Sequence, residues 1–142
     1  MKKALSLILA LVLCLSLVAC GEKTPKADPA EAIVGEWSGT YIWQGVKLTS
    51  NGAELNTGDT VDFTMSVFKG GAIEIIRENP ENEYKTTSTG KWEVSDGVLV
   101  ITCATSGGDI VISWEINTDA SSNTLSMNGS NHAFPQTLTK EN

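Results

Sequence analysis

The stretch from residue 90 to residue 117 constrains the fold most, because two independent signals in it agree. Asp96-Gly97 is typical of a two-residue hairpin turn, whose two positions both need a positive φ. Gly107-Gly108 predicts a second tight turn, which would set Cys103 opposite Ile112. With both turns, strict alternation puts one apolar set on a single face: Trp92, Val94, Leu99, Ile101, Cys103, Ile112, Trp114 and Ile116. Turn chemistry and hydrophobic pattern therefore predict the same antiparallel meander.

The earlier segments alternate in the same way. One predicted inner face starts near residue 37 and comprises Trp37, Gly39, Tyr41 and Trp43. A second comprises Val61, Phe63, Met65 and Val67. A three-residue turn at Lys69-Gly70-Gly71 would then set Val67 opposite Ile73. A two-residue turn would instead set Val67 against the polar Glu74 and invert the face.

The last segment is less regular. A loop at residues 128–131 would set Leu125 opposite Phe134. Pro135 cannot donate a hydrogen bond to a β-ladder, so we expect the final strand to be an edge, bulged or weakly closed.

These segments predict one all-β domain over residues 33–142. About eight short strands, each with one apolar face, can hide their edges only by closing into a barrel or by stacking as two sheets. Turns between neighbours in sequence favour a single antiparallel up-and-down barrel, with a β-sandwich as the alternative. The length of 142 residues fits one such domain, which we expect to be monomeric.

The first 32 residues have a different composition. Met1-Lys2-Lys3 followed by the apolar run 4–19 is typical of a secretory signal peptide, and the run is too short to span a membrane. Residues 20–32 predict a tether that ends in a helix start. There Asp28-Pro29-Ala30-Glu31 combines an N-cap, a Pro at the first helical position and an acidic residue in the first turn. A short helical turn is expected from Pro29 to about Val34.

The end of the signal peptide, Leu17-Val18-Ala19-Cys20-Gly21, resembles the lipobox of bacterial lipoproteins. In that family the Cys is alkylated by a diacylglycerol, the preceding peptide is removed and the new amino terminus is often acylated, with palmitate-type chains. The resemblance implies a lipid on Cys20 and an extracytoplasmic domain anchored to the cell membrane. Two or three acyl chains suffice for durable anchoring.

Two further motifs resemble small bacterial lipocalin-like lipoproteins. One is the Gly-x-Trp motif at Gly35 and Trp37, where the family's Trp plugs the closed barrel end beneath a short helix. The other is Gly90-Lys91-Trp92 with the Asp96-Gly97 turn, which resembles the family's mid-barrel hairpin. Larger lipocalins also pack a late Arg over that Trp. Here Arg77 is the only Arg and Lys140 the only late cation, which counts against a deep ligand cavity.

The sequence offers little support for catalysis. His132 is the only histidine, so no multi-histidine metal site can form, and we expect a surface position for it. Nucleophile-elbow, Walker and dinucleotide motifs are absent from the sequence, which predicts no enzyme, no metal and no cofactor. Without the signal peptide, Cys103 is the only thiol besides the lipidated Cys20, so no disulfide is expected within the domain.

The net charge of the chain limits the classes of partner that it can bind. The mature part has 8 basic and 17 acidic residues, a net charge of −9 that repels nucleic acid and anionic lipid. The acyl chains on Cys20 are therefore the expected membrane contact.

Three side chains are candidate ligand-binding residues. Tyr41 and Trp43 continue the inner face of the first strand toward the barrel mouth, where they would line a site or pack in the core. Arg77 would point inward opposite Phe63 if the hairpin register continued, and could meet an anionic group. We expect instead a bulge at Ile75-Ile76 that turns Arg77 outward.

The resulting hypothesis is a membrane-anchored binding module for a small apolar or amphipathic ligand, or a peptide. The alternative is an envelope or protein-interaction lipoprotein with a solid barrel and no internal ligand. An accessible cavity would favour the first, and a filled core with exposed apolar residues the second.

Overall fold

A computed structural model of the chain describes residues 28–105, 108–116, 123–127 and 133–142. The predicted signal peptide, Cys20, His132 and the loop at 128–131 lie outside these described residues. The described part contains one helical turn and ten strands: α1 (Pro29–Ile33), β1 (Gly35–Ile42), β2 (Leu48–Ser50), β3 (Ala53–Leu55), β4 (Thr60–Val67), β5 (Ala72–Glu78), β6 (Lys85–Ser95), β7 (Val98–Thr105), β8 (Gly108–Ile116), β9 (Thr124–Ser126) and β10 (Thr137–Lys140).

Eight of these strands close into one antiparallel barrel, in the order β1-β10-β9-β8-β7-β6-β5-β4. The predicted up-and-down barrel is confirmed, and the β-sandwich alternative is wrong. Strands β2 and β3 form a separate hairpin inserted between β1 and β4, which the sequence analysis did not predict. We call the end that carries α1 and residues 68–71 the lower end, and the opposite end, where β1 finishes at Ile42, the upper end.

Two predicted hairpins have the expected register. Val67 pairs with Ile73 across the turn at residues 69–71. Val94 pairs with Leu99 around Asp96 and Gly97, whose φ angles of 51° and 77° are those that a two-residue hairpin turn needs.

The third predicted turn is displaced by one residue. Thr105 pairs with Gly108, so Gly108 belongs to β8 and not to the turn; residues 106 and 107 lie outside the described residues. Cys103 is therefore opposite Ile110 and not Ile112, as had been expected. The displacement moves each partner by two residues and leaves every side chain on its predicted face, so hydrophobic alternation could not distinguish the two registers.

The final strand also differs from expectation. Leu125 pairs with Leu138 and not with Phe134, and β10 lies between β9 and β1, so it is not an edge. Pro135 precedes β10 and therefore costs no ladder hydrogen bond. Within the described residues the pairing at this closure is short, since β10 pairs with β1 at two positions and β8 pairs with β9 at two.

The barrel interior is filled by apolar side chains. Phe63, Trp114 and Phe134 form its centre, with each pair of ring centroids 6.1–6.2 Å apart. Trp92 and Val94 face this core but are only half-buried, because they lie at the lower rim. The side chain of Ile116 lies outside the described structure.

The lower end is closed as the Gly-x-Trp resemblance implies. Asp28 caps α1 by accepting a hydrogen bond from the Ala30 amide at 3.0 Å. Trp37 Nε1 donates to the Ile33 carbonyl at 2.8 Å, and both side chains are buried. Lys140 Nζ lies 5.6 Å from the Trp37 ring centroid and donates to the Ala32 carbonyl. Lys140 therefore covers the first-strand Trp, the position that an Arg has in the larger lipocalins.

Candidate functional site

The upper end is covered by the β2–β3 hairpin. Its Leu55 packs with Trp43, Val61 and Tyr84 in a second hydrophobic cluster, separate from the barrel core. Trp43 is only 7% exposed, and its Nε1 donates to the Val46 carbonyl at 2.9 Å. The expectation that Trp43 stands at an open mouth is therefore wrong, because the hairpin lies over it.

Polar contacts hold this cover in place. Ser50 Oγ donates to the Lys85 carbonyl at 2.7 Å, and Asn82 Nδ2 donates to the Glu54 carbonyl at 2.9 Å. Asn79, which is almost fully buried, donates from Nδ2 to Asp59 Oδ2 at 3.1 Å. These bonds join the hairpin and the segment leading into β4 to the loop between β5 and β6, so the upper end is a fixed part of the fold.

Arg77 points into the barrel just below this cover. The β4–β5 ladder continues without a break from Val67–Ile73 to Phe63–Arg77, so the expected bulge at Ile75-Ile76 is wrong. The side chain is half-buried. Within the described part of the chain the ion pairs are Lys47–Glu54 and Lys85–Glu78, and neither includes Arg77.

Two hydroxyl groups beside Arg77 are also unpaired. Thr86 is directly opposite Arg77 in the β5–β6 ladder, and Tyr41 is close enough for the guanidinium to act on its ionisation. The Tyr41 hydroxyl and Thr86 Oγ1 are buried, and neither has a hydrogen-bond partner of normal geometry among the described residues, although the Arg77 guanidinium is close enough to Tyr41 for a hydrogen bond between them to lower the Tyr41 pKa. Each such group costs about 1–3 kcal/mol of stability.

A cavity of about 50 Å³ lies next to these groups. Arg77, Ser88 and Cys103 line it, together with the apolar Ile75, Ile110, Ile112 and Phe134. Ile110 is 43% exposed, so this side of the cavity reaches solvent. The volume admits a few atoms and is far below the roughly 300 Å³ or more of pockets that enclose drug-sized ligands. We call this cavity, with the Arg77 and Ser88 side chains that line it, the upper chamber; Tyr41 and Thr86 lie beside Arg77 but do not line the cavity.

Comparisons with family models, curated proteins and solved structures found no match. Among the described residues, no group of three or more His, Cys, Asp or Glu side chains could hold a metal ion. None of the described helices is long and apolar enough to span a membrane.

The electrostatics of the upper chamber are dominated by one positive charge. Burial raises the pKa of the Tyr41 hydroxyl, and the neighbouring Arg77 guanidinium lowers it in part. Burial likewise raises the pKa of the Cys103 thiol, again against a smaller opposite effect of Arg77. Both groups are therefore neutral at neutral pH.

The sequence analysis identified Arg77 and Tyr41 but missed Thr86, Ser88 and the covering role of Lys140. The sequence did contain a pattern that indicates Thr86 and Ser88. Residues 85–90, Lys-Thr-Thr-Ser-Thr-Gly, are polar or glycine at every position, although one face of β6 must point inward. A strand with a polar inner face indicates a polar compartment inside the barrel.

Stability should decline as the pH rises above about 10, the pKa of tyrosine in an unfolded chain. The folded state keeps Tyr41 neutral to a higher pH than the unfolded state does. Its contribution is therefore complete below that pH and is lost as the pH passes through the folded pKa. Urea unfolding at several alkaline pH values measures the decline, which Tyr41→Phe should make shallower. An unchanged slope in Tyr41→Phe would contradict the assignment.

Proposed function

We propose that this protein is a lipid-anchored, extracytoplasmic binding module that recognises its partner at the upper end of the barrel. The observation that carries the proposal is the difference between the two ends. Both ends of the barrel are covered, and a surface groove lies at the lower end between α1 and the turn at residues 69–71, but only below the upper end does a charged side chain, Arg77, point inward next to a cavity that reaches solvent.

The anchor defines which end faces away from the membrane. Asp28 caps α1 at the lower end and lies eight positions after Cys20. Eight residues reach at most about 28 Å when fully extended. A lipid on Cys20 therefore keeps the lower end within about 28 Å of the membrane, and in the orientation that we propose the upper end projects outward by about the length of an eight-residue strand, roughly 27 Å.

The filled interior supports a partner bound at the rim over an apolar molecule enclosed in the barrel. The core side chains leave about 50 Å³ next to Arg77. Most of the exposed large apolar side chains among the described residues lie at the upper end: Ile42 at the end of β1, Val46 in the following loop, and Ile110 and Val111 near the start of β8, whereas Phe68 lies at the lower end. A peptide or an amphipathic molecule can contact such side chains without entering the barrel.

The second candidate function is an interaction lipoprotein with a solid barrel and no internal ligand. The observation that favours it is the central Phe63, Trp114 and Phe134 cluster, which occupies the space that a calyx would need. In this case the exposed apolar residues of the upper end carry all of the binding, and the upper chamber is empty or hydrated.

Replacing Cys20 with Ala should release the protein from the membrane. The thiol is the only group at this position that can accept the diacylglycerol, and the tether itself is too polar to bind lipid strongly. Fractionation of cells and detergent phase partitioning measure the effect, with loss of essentially all membrane-bound protein expected.

Cys14→Ala is the matched control, since it changes a Cys within the signal peptide and should leave lipidation intact. Retention of Cys20→Ala in the membrane fraction with unchanged mobility would show that the anchor is not a lipid on Cys20.

A further inference from the structure

We propose that the upper chamber is a carboxylate-binding site with Arg77 as its anchor. The inference rests on the upper end being the recognition end, and it adds the chemical class of the ligand. The carboxylate belongs to the end of a short apolar chain or to a peptide, with the attached chain leaving over Ile110.

The first reason is an unpaired charge. Arg77 is half-buried, faces inward and has no acidic partner among the described residues. The adjacent Glu78 pairs instead with Lys85. An unpaired buried charge is costly, and an apolar side chain of similar size would fit between Phe63 and Thr86 at lower cost. An anion that enters the chamber removes this cost.

The second reason is that the neighbouring polar groups can donate hydrogen bonds. Ser88 lines the cavity with Arg77, and the buried Thr86 hydroxyl, which lacks a partner within the described structure, is directly opposite Arg77 in the β5–β6 ladder. Each hydroxyl can donate one hydrogen bond, and the guanidinium has five N–H donors. An occupant rich in acceptors and carrying negative charge can accept from the guanidinium and from Ser88, whereas the guanidinium repels a cation.

The third reason is size and shape. A volume of about 50 Å³ accommodates a planar carboxylate with the first carbons of its chain. A carboxylate also matches the guanidinium fork through two parallel hydrogen bonds. Ile75, Ile112 and Phe134 provide apolar walls for the attached carbons, and the exposed Ile110 marks the exit.

The lipidated protein in detergent micelles provides a direct test. Arg77 is the only arginine in the chain, so its Nε–H signal in a ¹H–¹⁵N spectrum needs no assignment. Butyrate at tens of millimolar should shift that signal and raise the melting temperature, whereas butyramide, a neutral molecule of the same shape, should do neither. A short peptide with a free carboxyl terminus and the same peptide amidated distinguish a peptide ligand from a free acid.

Variants separate a specific site from general attraction between charges. Arg77→Lys keeps the charge but loses the fork, and should weaken butyrate binding at least about tenfold. Arg77→Met should abolish binding while melting at the same or a higher temperature, because it removes the unpaired charge. Lys85→Met removes a positive charge from the outer surface of the neighbouring strand and should leave binding unchanged.

The outcomes are distinguishable from those of the Cys20 experiment. A response to butyrate or to the free-carboxyl peptide that disappears in Arg77→Met supports the site and identifies the source of the carboxylate. An equal response to butyramide, no response to any acid, or an equal loss in Lys85→Met would overturn it. In those cases the Cys20→Ala result still decides the anchor independently.

Discussion

Trp114→Ala should lower the free energy of unfolding by about 3–5 kcal/mol. The Trp114 side chain is fully buried between Phe63 and Phe134, and its Nε1 donates to the Pro135 carbonyl at 3.3 Å. Removing it leaves a large cavity at the centre of the barrel and an unpaired carbonyl in the segment that leads into β10. Urea unfolding followed by circular dichroism measures the change.

Two other variants provide reference values for the loss of unfolding free energy in Trp114→Ala. Glu93→Ala changes an exposed residue of β6 and should alter the free energy of unfolding by less than about 0.5 kcal/mol. Trp92→Ala changes a half-buried residue at the lower rim, whose Nε1 donates to the Phe68 carbonyl, and should cost about 1–2 kcal/mol. A similar small loss in all three variants would contradict the inward position of Trp114.

The barrel could be predicted because turns and alternation are local signals that must agree. Asp96-Gly97 determined one register through its positive φ angles, and Val67 determined another because a one-residue slip would have buried Glu74. The same logic could not locate the β7–β8 turn, since both candidate registers leave Cys103 on the inner face. Hydrophobic pattern decides which face a residue takes but does not decide between registers two residues apart.

The β2–β3 hairpin was missed even though its turn carries a strong signal. Asn51-Gly52 has φ angles of 53° and 81°, as expected for a two-residue hairpin turn. Each strand is only three residues long, however, and the pair is stabilised by packing on Trp43, Val61 and Tyr84, which lie outside the hairpin. Such short strands show too little alternation to be detected from their own residues.

The candidate site could be predicted only in part. Continuation of the register placed Arg77 inward, and the cost of burying a charge was the reason to expect a bulge. The structure keeps the register, because β4 and β5 lose no ladder pair and the polar inner face of β6 surrounds the guanidinium with hydroxyl groups. The free-energy cost of burying the Arg77 charge depends on its polar neighbours Thr86 and Ser88. It could therefore not be judged before these neighbours were known.

Trp43→Ala should lower the free energy of unfolding by about 3–5 kcal/mol, instead of affecting ligand binding alone as an open mouth would require. Trp43 packs against Leu55, Val61 and Tyr84, and its ring contacts Gly45 so closely that an added Cβ there would lie 2.3 Å from Trp43 Cζ2. Its loss should also loosen the β2–β3 hairpin, which contributes Leu55 to the same cluster. Amide hydrogen exchange of residues 48–55 reports this local effect, and thermal melting reports the global one.

Trp37→Ala is the matched control at the opposite end of the barrel. Trp37 is buried beneath α1, so its removal should cost a similar free energy of unfolding. Amide exchange in the β2–β3 hairpin should then accelerate only as far as the global loss of stability dictates, because Trp37 belongs to the other hydrophobic cluster. Val46→Ala, at a side chain 79% exposed, should change neither measurement appreciably.

If Trp43→Ala left both the melting temperature and the hairpin amides unchanged, the upper end would be held by its polar contacts alone. The hydrophobic cluster under the cover would then contribute little to stability.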